Sequence, residues 1–195
     1  MRTSRRVAML TGSVTAVAAA TFAFSAPSSA RNPVAVAELR DAAGQAVGKV
    51  HFRLNDGRVV GQIEVRLPAD SSRFHGFHIH ANNDPANGAG CVGPAFTSAD
   101  GHWNPTSAGH GSHSGDMPPL VLGPGGRSRA EFDLGHLTPG EIVGLAVIVH
   151  AGADNLANIP TRYSAAGVPG PDATTLATGD AGGRHACGVI EARGR

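Results

Sequence analysis

The sequence predicts an all-β domain, a sandwich or barrel of about eight strands carrying two long loops. Three observations point there. The 195 residues include 27 Gly and 13 Pro, which supply turns and interrupt helical periodicity. Short runs alternate apolar with polar residues and end in turn signals, the pattern of half-buried strands. Finally, Phe74-His75-Gly76-Phe77-His78-Ile79-His80 sets two histidines two residues apart in a β-prone run. In a strand, His78 and His80 share one face while Phe77 and Ile79 share the other, so a metal-binding wall comes with its own apolar backing.

The length suits one domain, read as residues 31–195. Residues 1–30 read as an export signal: Arg2, Arg5 and Arg6 form a basic start, Val7 to Phe24 is small and apolar, and Ser28-Ser29-Ala30 suits cleavage. A retained membrane anchor is the competing reading, and Arg5-Arg6 alone does not separate twin-arginine from general export. The segment lacks a lipobox cysteine, so cleavage leaves no stable membrane anchor and the product is extracellular or held at the cell envelope. Taking those three arginines from the 16 basic residues leaves 13 against 15 acidic ones, a net charge of −2. The basic residues are scattered, which excludes a nucleic-acid footprint. Cys91 and Cys187 are an even pair in an exported chain and suggest one disulfide, closing a loop of roughly 100 residues. Two metal-ligating thiolates are the alternative, although such ligands usually come in closer pairs.

Taken in order, Val34 to Leu39 and Lys49 to Leu54 alternate as strands, with Val50 and Phe52 on one face. Asn55-Asp56-Gly57 is a hairpin turn. Val59 to Leu67 continues the meander, with Val60, Ile63, Val65 and Leu67 as inward candidates and an irregularity expected at Gly61. The His78/His80 strand follows. Asn82 to Pro118 is a loop rich in Gly, Asn, Asp, Ser and His, long enough to be functional. Leu120 to Leu122 and Ser128 to Leu134 read as a hairpin around Gly123-Pro124-Gly125-Gly126, and Leu137-Thr138-Pro139-Gly140 as a tight turn. Glu141 to His150 is almost continuously apolar, as a central strand would be. Ala151 to Gly183 is the second long loop, and Arg184 to Glu191 the last strand.

The later histidines add ligands. His110, His113 and Asp116 follow one another at three-residue intervals, a spacing that can line one side of a tight turn. Two imidazoles and a carboxylate suit zinc once a fourth ligand joins them, and His102 can supply it. His78, His80 and His150 form a nitrogen set suited to copper.

Gly76-Phe77-His78-Ile79-His80, Gly101-His102-Trp103-Asn104-Pro105, Gly115-Asp116, Val147-Ile148-Val149-His150 and Gly183-Arg184-His185-Ala186-Cys187-Gly188-Val189-Ile190 together resemble the copper/zinc superoxide dismutase family, in its bacterial exported branch. One His-x-His is weak evidence, whereas five motifs in family order across the chain are specific. The resemblance implies an eight-stranded Greek-key barrel and dismutation of superoxide to O2 and hydrogen peroxide. It implies copper on His78, His80, His102 and His150, and zinc on His102, His110, His113 and Asp116, with His102 shared by both metals. Arg184 would pair with the superoxide anion, and Asp154 would link a copper ligand to a zinc ligand. Cys91 and Cys187 would form the family disulfide. His75 reads as a packing and hydrogen-bonding residue beside the site. Bacterial members include monomers and dimers, so a homodimer is one of two states open to this chain. The alternative function is an exported copper-buffering module of the same fold.

Three departures from the family pattern stand out. Only Gly111 and Ser112 separate His110 from His113, a shortened span that either closes on zinc or leaves His113 short of it. Asp100 stands where many members have glycine, and Trp103 replaces a smaller aromatic. The remaining histidines read as structural: His51 facing solvent, His136 beside a turn, and His185 pointed away by alternation.

Overall fold

The computed structural model describes residues 34–68, 73–84, 86, 88–92 and 94–194. The export segment expected in residues 1–30 lies outside them. Eleven strand segments follow in chain order: β1 (Ala35–Asp41), β2 (Ala46–Asn55), β3 (Arg58–Arg66), β4 (Phe74–His75), β5 (Phe77–His80), β6 (Leu120–Val121), β7 (Arg127–Asp133), β8 (Ala146–His150), β9 (Ser164–Ala165), β10 (Val168–Pro169) and β11 (Arg184–Ala192). Two short helices are α1 (Pro139–Ile142) and α2 (Ala173–Thr178).

Seven strands form one antiparallel sheet in the order β5-β8-β11-β1-β2-β3-β7. The sheet curls enough for side chains of its two edge strands to touch: the ring of Phe77 in β5 packs edge-on against Phe132 in β7 at 5.3 Å. The eighth strand is a broken one. Residues 115–122 run antiparallel to β4 and β5, through the Leu120–His75 pairing and the Asp116–His78 bridge. The expected eight-stranded barrel is therefore present, as seven regular strands and one interrupted one.

Inside the curl lies the main core, which includes Leu39, Phe52, Ile63, Phe77, Ile79, Leu134, Val147, Val149 and Ile190. Strand β8 is buried along its whole length because its other face is covered too. Ala146 and Ile148 pack with Phe96, Ala99 and Cys187 beneath the first long loop. That explains the continuous apolar run, since a strand between two apolar layers has no polar face.

Several local expectations need correction. In β3 the buried residues are Val59, Ile63 and Val65, and Val60 points outward; Gly61 shares the inward parity. No irregularity occurs at Gly61, which stays in register with both Phe52 and Phe132. Its missing side chain makes room for the Phe132 ring, which a Cβ there would overlap. Leu120–Leu122 and Ser128–Leu134 do not form a hairpin with each other: β6 pairs with β4 and β7 with β3, with only a Gly123–Arg127 bridge between them. Glu141–His150 is not one strand. Thr138 and Glu141 make a reciprocal capping box that starts α1, and only Ala146–His150 is extended. His51 is half-buried rather than solvent-facing. The real register shifts lie at Leu39/Arg40 and at Arg184/Ala186, so simple alternation fails at His185.

Candidate metal centre

Strand parity sends His78 and His80 to the outer face of the sheet, opposite Phe77 and Ile79, and His150 joins them from the end of β8. Two loops cover that face. Residues 81–119 bring His102 through its bridge to His80, and then His110, His113 and Asp116 through two successive turns, Ser112 N–H to Gly109 O and Asp116 N–H to His113 O. Residues 151–183 bring Asp154. The first loop is pinned to β11 by the Cys91–Cys187 disulfide, whose Cα atoms are 5.6 Å apart. Thiolate ligation by these cysteines is thereby excluded.

Two four-residue clusters result, each with its potential ligand atoms within 4.8 Å of one another: His78, His80, His102 and His150, and His102, His110, His113 and Asp116; a third group, His78, His110 and Asp154, lies between them. His102 belongs to both four-residue clusters. In the second cluster, His102 Nδ1 lies 3.2 Å from His113 Nδ1 and 3.0 Å from Asp116 Oδ1, and His113 Nδ1 lies 3.2 Å from Asp116 Oδ1. A tetrahedron with metal–ligand distances of about 2.0–2.1 Å has edges of about 3.3 Å. The shortened His110–His113 span therefore brings His113 to within coordination distance of its neighbours.

The hydrogen bonds around the rings determine which nitrogens face inward. His80 Nδ1 donates to Asp100 O at 2.8 Å and His150 Nδ1 to Gly182 O at 3.1 Å, so each presents an Nε2 lone pair, and these two atoms are 3.3 Å apart. His78 Nε2 donates to Asp154 Oδ2 at 2.5 Å and His110 Nε2 to Asp154 Oδ1 at 2.8 Å, leaving both Nδ1 atoms facing the clusters. Among the described residues, His78 Nδ1, His102 Nε2 and His110 Nδ1 are buried with no hydrogen-bond partner. Each such atom costs about 1–3 kcal/mol. Converging lone pairs whose outer nitrogens are already committed fit cations, and the nitrogen and mixed nitrogen/oxygen donor sets fit copper and zinc.

Burial reinforces this protonation pattern. It pushes His78 and His80 below the ordinary imidazole value, and His150 down to about 3. Burial alone would raise Asp116, but the hydrogen bond from His102 and the charges of His110 and His113 bring it down to about 2. Asp154 is likewise lowered, the His78, Leu156 and His110 hydrogen bonds overcoming burial. Burial thus favours the neutral rings of His78, His80 and His150, and hydrogen bonds favour the ionised carboxylates of Asp116 and Asp154, the forms that bind metals.

Arg184, at the start of β11, donates from its guanidinium to the backbone carbonyls of Phe96 and Asp100. That holds it against the first loop, near His80, which uses the same Asp100 carbonyl. His75 is fully buried and its Nδ1 lies 2.6 Å from the carbonyl of His150. His136 is exposed, with Nε2 3.0 Å from Ser114 O. Some supporting residues had no role in the sequence reading. Buried Asn82 ties Gly90 N–H to Gly144 O, and Ser98 bonds Val92 and Gly90. Asp172 caps α2, whose Leu176 carbonyl accepts from His110 N–H. Of these only Asp172-Ala173-Thr174-Thr175 carries a local signal, that of a helix N-cap.

Residues 46–190 match the family model described as copper/zinc superoxide dismutase. A Cu-Zn superoxide dismutase of Mycolicibacterium paratuberculosis is 37% identical over 172 residues, covering 82% of this chain and 75% of that protein. An extracellular Cu-Zn superoxide dismutase of Brugia pahangi is 32% identical over 171 residues, covering 82% of this chain and 76% of that protein. Among solved structures, the Cu/Zn superoxide dismutase of Brucella abortus aligns with a TM-score of 0.58 at 26% identity, over 80% of this chain and 98% of that one. The clock protein EA4 aligns with a TM-score of 0.60 at 28% identity, over 85% and 99%. Folds host more than one function, so the site must agree with the alignment, and the family match spans every residue of both clusters. The chain belongs to the copper/zinc superoxide dismutase family.

Proposed function

We propose that His78, His80, His102 and His150 hold copper and His102, His110, His113 and Asp116 hold zinc, in an exported enzyme that dismutes superoxide. The carrying observation is His102, whose Nδ1 sits 3.0 Å from Asp116 Oδ1 in one cluster while its buried Nε2 faces the other. When bound, copper supplies the one-electron exchange that turns two superoxide anions into O2 and hydrogen peroxide.

The chain's own residues supply the rest. Arg184, fixed by two carbonyls, attracts and orients the anion. When not ligating, His102 Nε2 would hold one of the two protons that peroxide requires and pass it on, since no group among the described residues hydrogen-bonds that atom. Asp154 fixes the rings of His78 and His110 with one carboxylate, so both clusters keep their geometry through the cycle. His75 secures the backbone of His150. Export is supported by the basic-apolar segment at residues 1–30 and by the disulfide, a bond that persists in oxidising compartments. Among the described residues no helix is long and apolar enough to cross a membrane.

The test is metal analysis joined to superoxide consumption on copper- and zinc-loaded protein. One copper per chain with consumption well above free copper is expected. Stoichiometric copper without consumption would sink the dismutase reading and leave a copper-buffering module. A His102→Ala variant should alter the copper EPR spectrum, and an unchanged spectrum counts against the shared imidazole.

A further inference from the structure

Asp100 is one of several residues of the first loop whose backbone is left-handed. It has φ +61°, a left-handed conformation that side chains other than those of Gly, Asn and Asp rarely adopt. Its carbonyl carries two functional side chains at once, accepting from His80 Nδ1 at 2.8 Å and from the Arg184 guanidinium. Its carboxylate points the other way. Oδ2 accepts the backbone N–H of Asn83 at 2.7 Å and of Asp84 at 2.8 Å, where the chain leaves β5. Around it, Ala81 N–H bonds Gly101 O and Asn82 N–H bonds Ala99 O, so the two segments run side by side.

We infer that Asp100 is a positioning residue: its carboxylate clamps the Asn83–Asp84 amides and thereby holds its own carbonyl at the one point that His80 and Arg184 both reach. A carboxylate accepting two N–H groups is a strong restraint. The same charge acts on Arg184: burial pushes the guanidinium below its ordinary value and the Asp100 carboxylate opposes that. The chain thus links a metal-facing imidazole and the anion-facing guanidinium through one peptide group whose orientation a side chain sets. This inference rests on the ligand reading given above for His80.

The test compares Asp100→Gly and Asp100→Asn in the copper- and zinc-loaded protein. Glycine accepts the positive φ without strain and removes the clamp; asparagine tolerates the φ and keeps an acceptor oxygen. For Asp100→Gly, hydrogen exchange at the Asn83 and Asp84 amides should accelerate about tenfold or more, the size expected for losing a charged acceptor. Its copper EPR parameters should shift, and its KM for superoxide should rise more than its kcat falls. Asp100→Asn should restore most of the exchange protection and the spectrum. Unchanged amide exchange in Asp100→Gly would overturn the clamp. Accelerated exchange with an unaltered spectrum and KM would overturn its link to the site. A His80→Gln control that leaves the copper spectrum untouched would instead overturn the ligand reading and leave the clamp to the exchange data.

Discussion

Asp154 Oδ2 lies 2.5 Å from His78 Nε2, and the same carboxylate reaches His110 Nε2 at 2.8 Å through its other oxygen. One side chain therefore fixes a ring in each metal cluster. Asp154→Asn can keep at most one of these contacts in the required donor sense, because an amide has a single acceptor oxygen. It should weaken metal affinity about 10–100-fold, as loss of a carboxylate behind a ligating histidine does. Chelator competition reads this for each metal. Loss confined to one metal would mean that the two clusters are not coupled through Asp154.

Gly179 ends α2 at φ +62°, and a Cβ there would overlap His110 Nε2 and Asp154 Oδ1. Gly179→Ala should cost about 1–2 kcal/mol from the backbone conformation alone. It should also displace His110 and speed zinc release to a chromogenic chelator. Zinc release at the parent rate would show that His110 does not depend on this approach.

The metal-free protein should lose stability steadily as pH falls. His78 and His80 are held below the ordinary imidazole value by burial, which also does most to bring His150 to about 3. Between those values the unfolded chain binds more protons than the folded one, so the histidine contribution is complete above about pH 6.5 and drains away toward pH 3. Asp116, lowered from 3.8 to about 2, adds a further loss only below about pH 4. The unfolding midpoint of the apo protein should therefore fall between pH 7 and pH 4. A flat profile there would mean that the histidines are not desolvated in the folded state.

Gly61 faces Phe132 across the β3–β7 ladder, and Phe132 in turn meets Phe77 from the opposite sheet edge. Gly61→Ala should destabilise by about 1–3 kcal/mol through overpacking. Adding Phe132→Leu should recover part of that, since the two positions share one contact. Denaturant unfolding of the single and double variants measures the coupling, and strict additivity would argue against a clash at this pair.

Much of this architecture was legible because strand periodicity is local. Alternation in Phe77-His78-Ile79-His80 determines which residues face the core and which face the loops, and the structure keeps that division. Where the reading failed, a non-local partner decided. Val60 and Val59 are both apolar, and only the register with Phe52 and Phe132 selects the inward parity of Val59 and Gly61. Leu120–Val121 pairs with β4, just before β5 in the chain, instead of with β7, a choice between partners far apart in sequence. Thr138 and Glu141 carry a capping signature that the apolar run after them obscured.

By itself, the sequence determined the all-β class, the opposed faces of His78/His80 and Phe77/Ile79, the even cysteine pair and the family motifs. These depend on residue type and short spacing. Only the tertiary structure decided that His113 comes within 3.2 Å of His102 despite the shortened span. It alone set which nitrogen of each ring faces inward, that one Asp100 carbonyl serves both His80 and Arg184, and that Asp154 spans both clusters. Those facts depend on hydrogen bonds between residues far apart in sequence, whose geometry exists only once the two loops have closed over the outer face of the sheet.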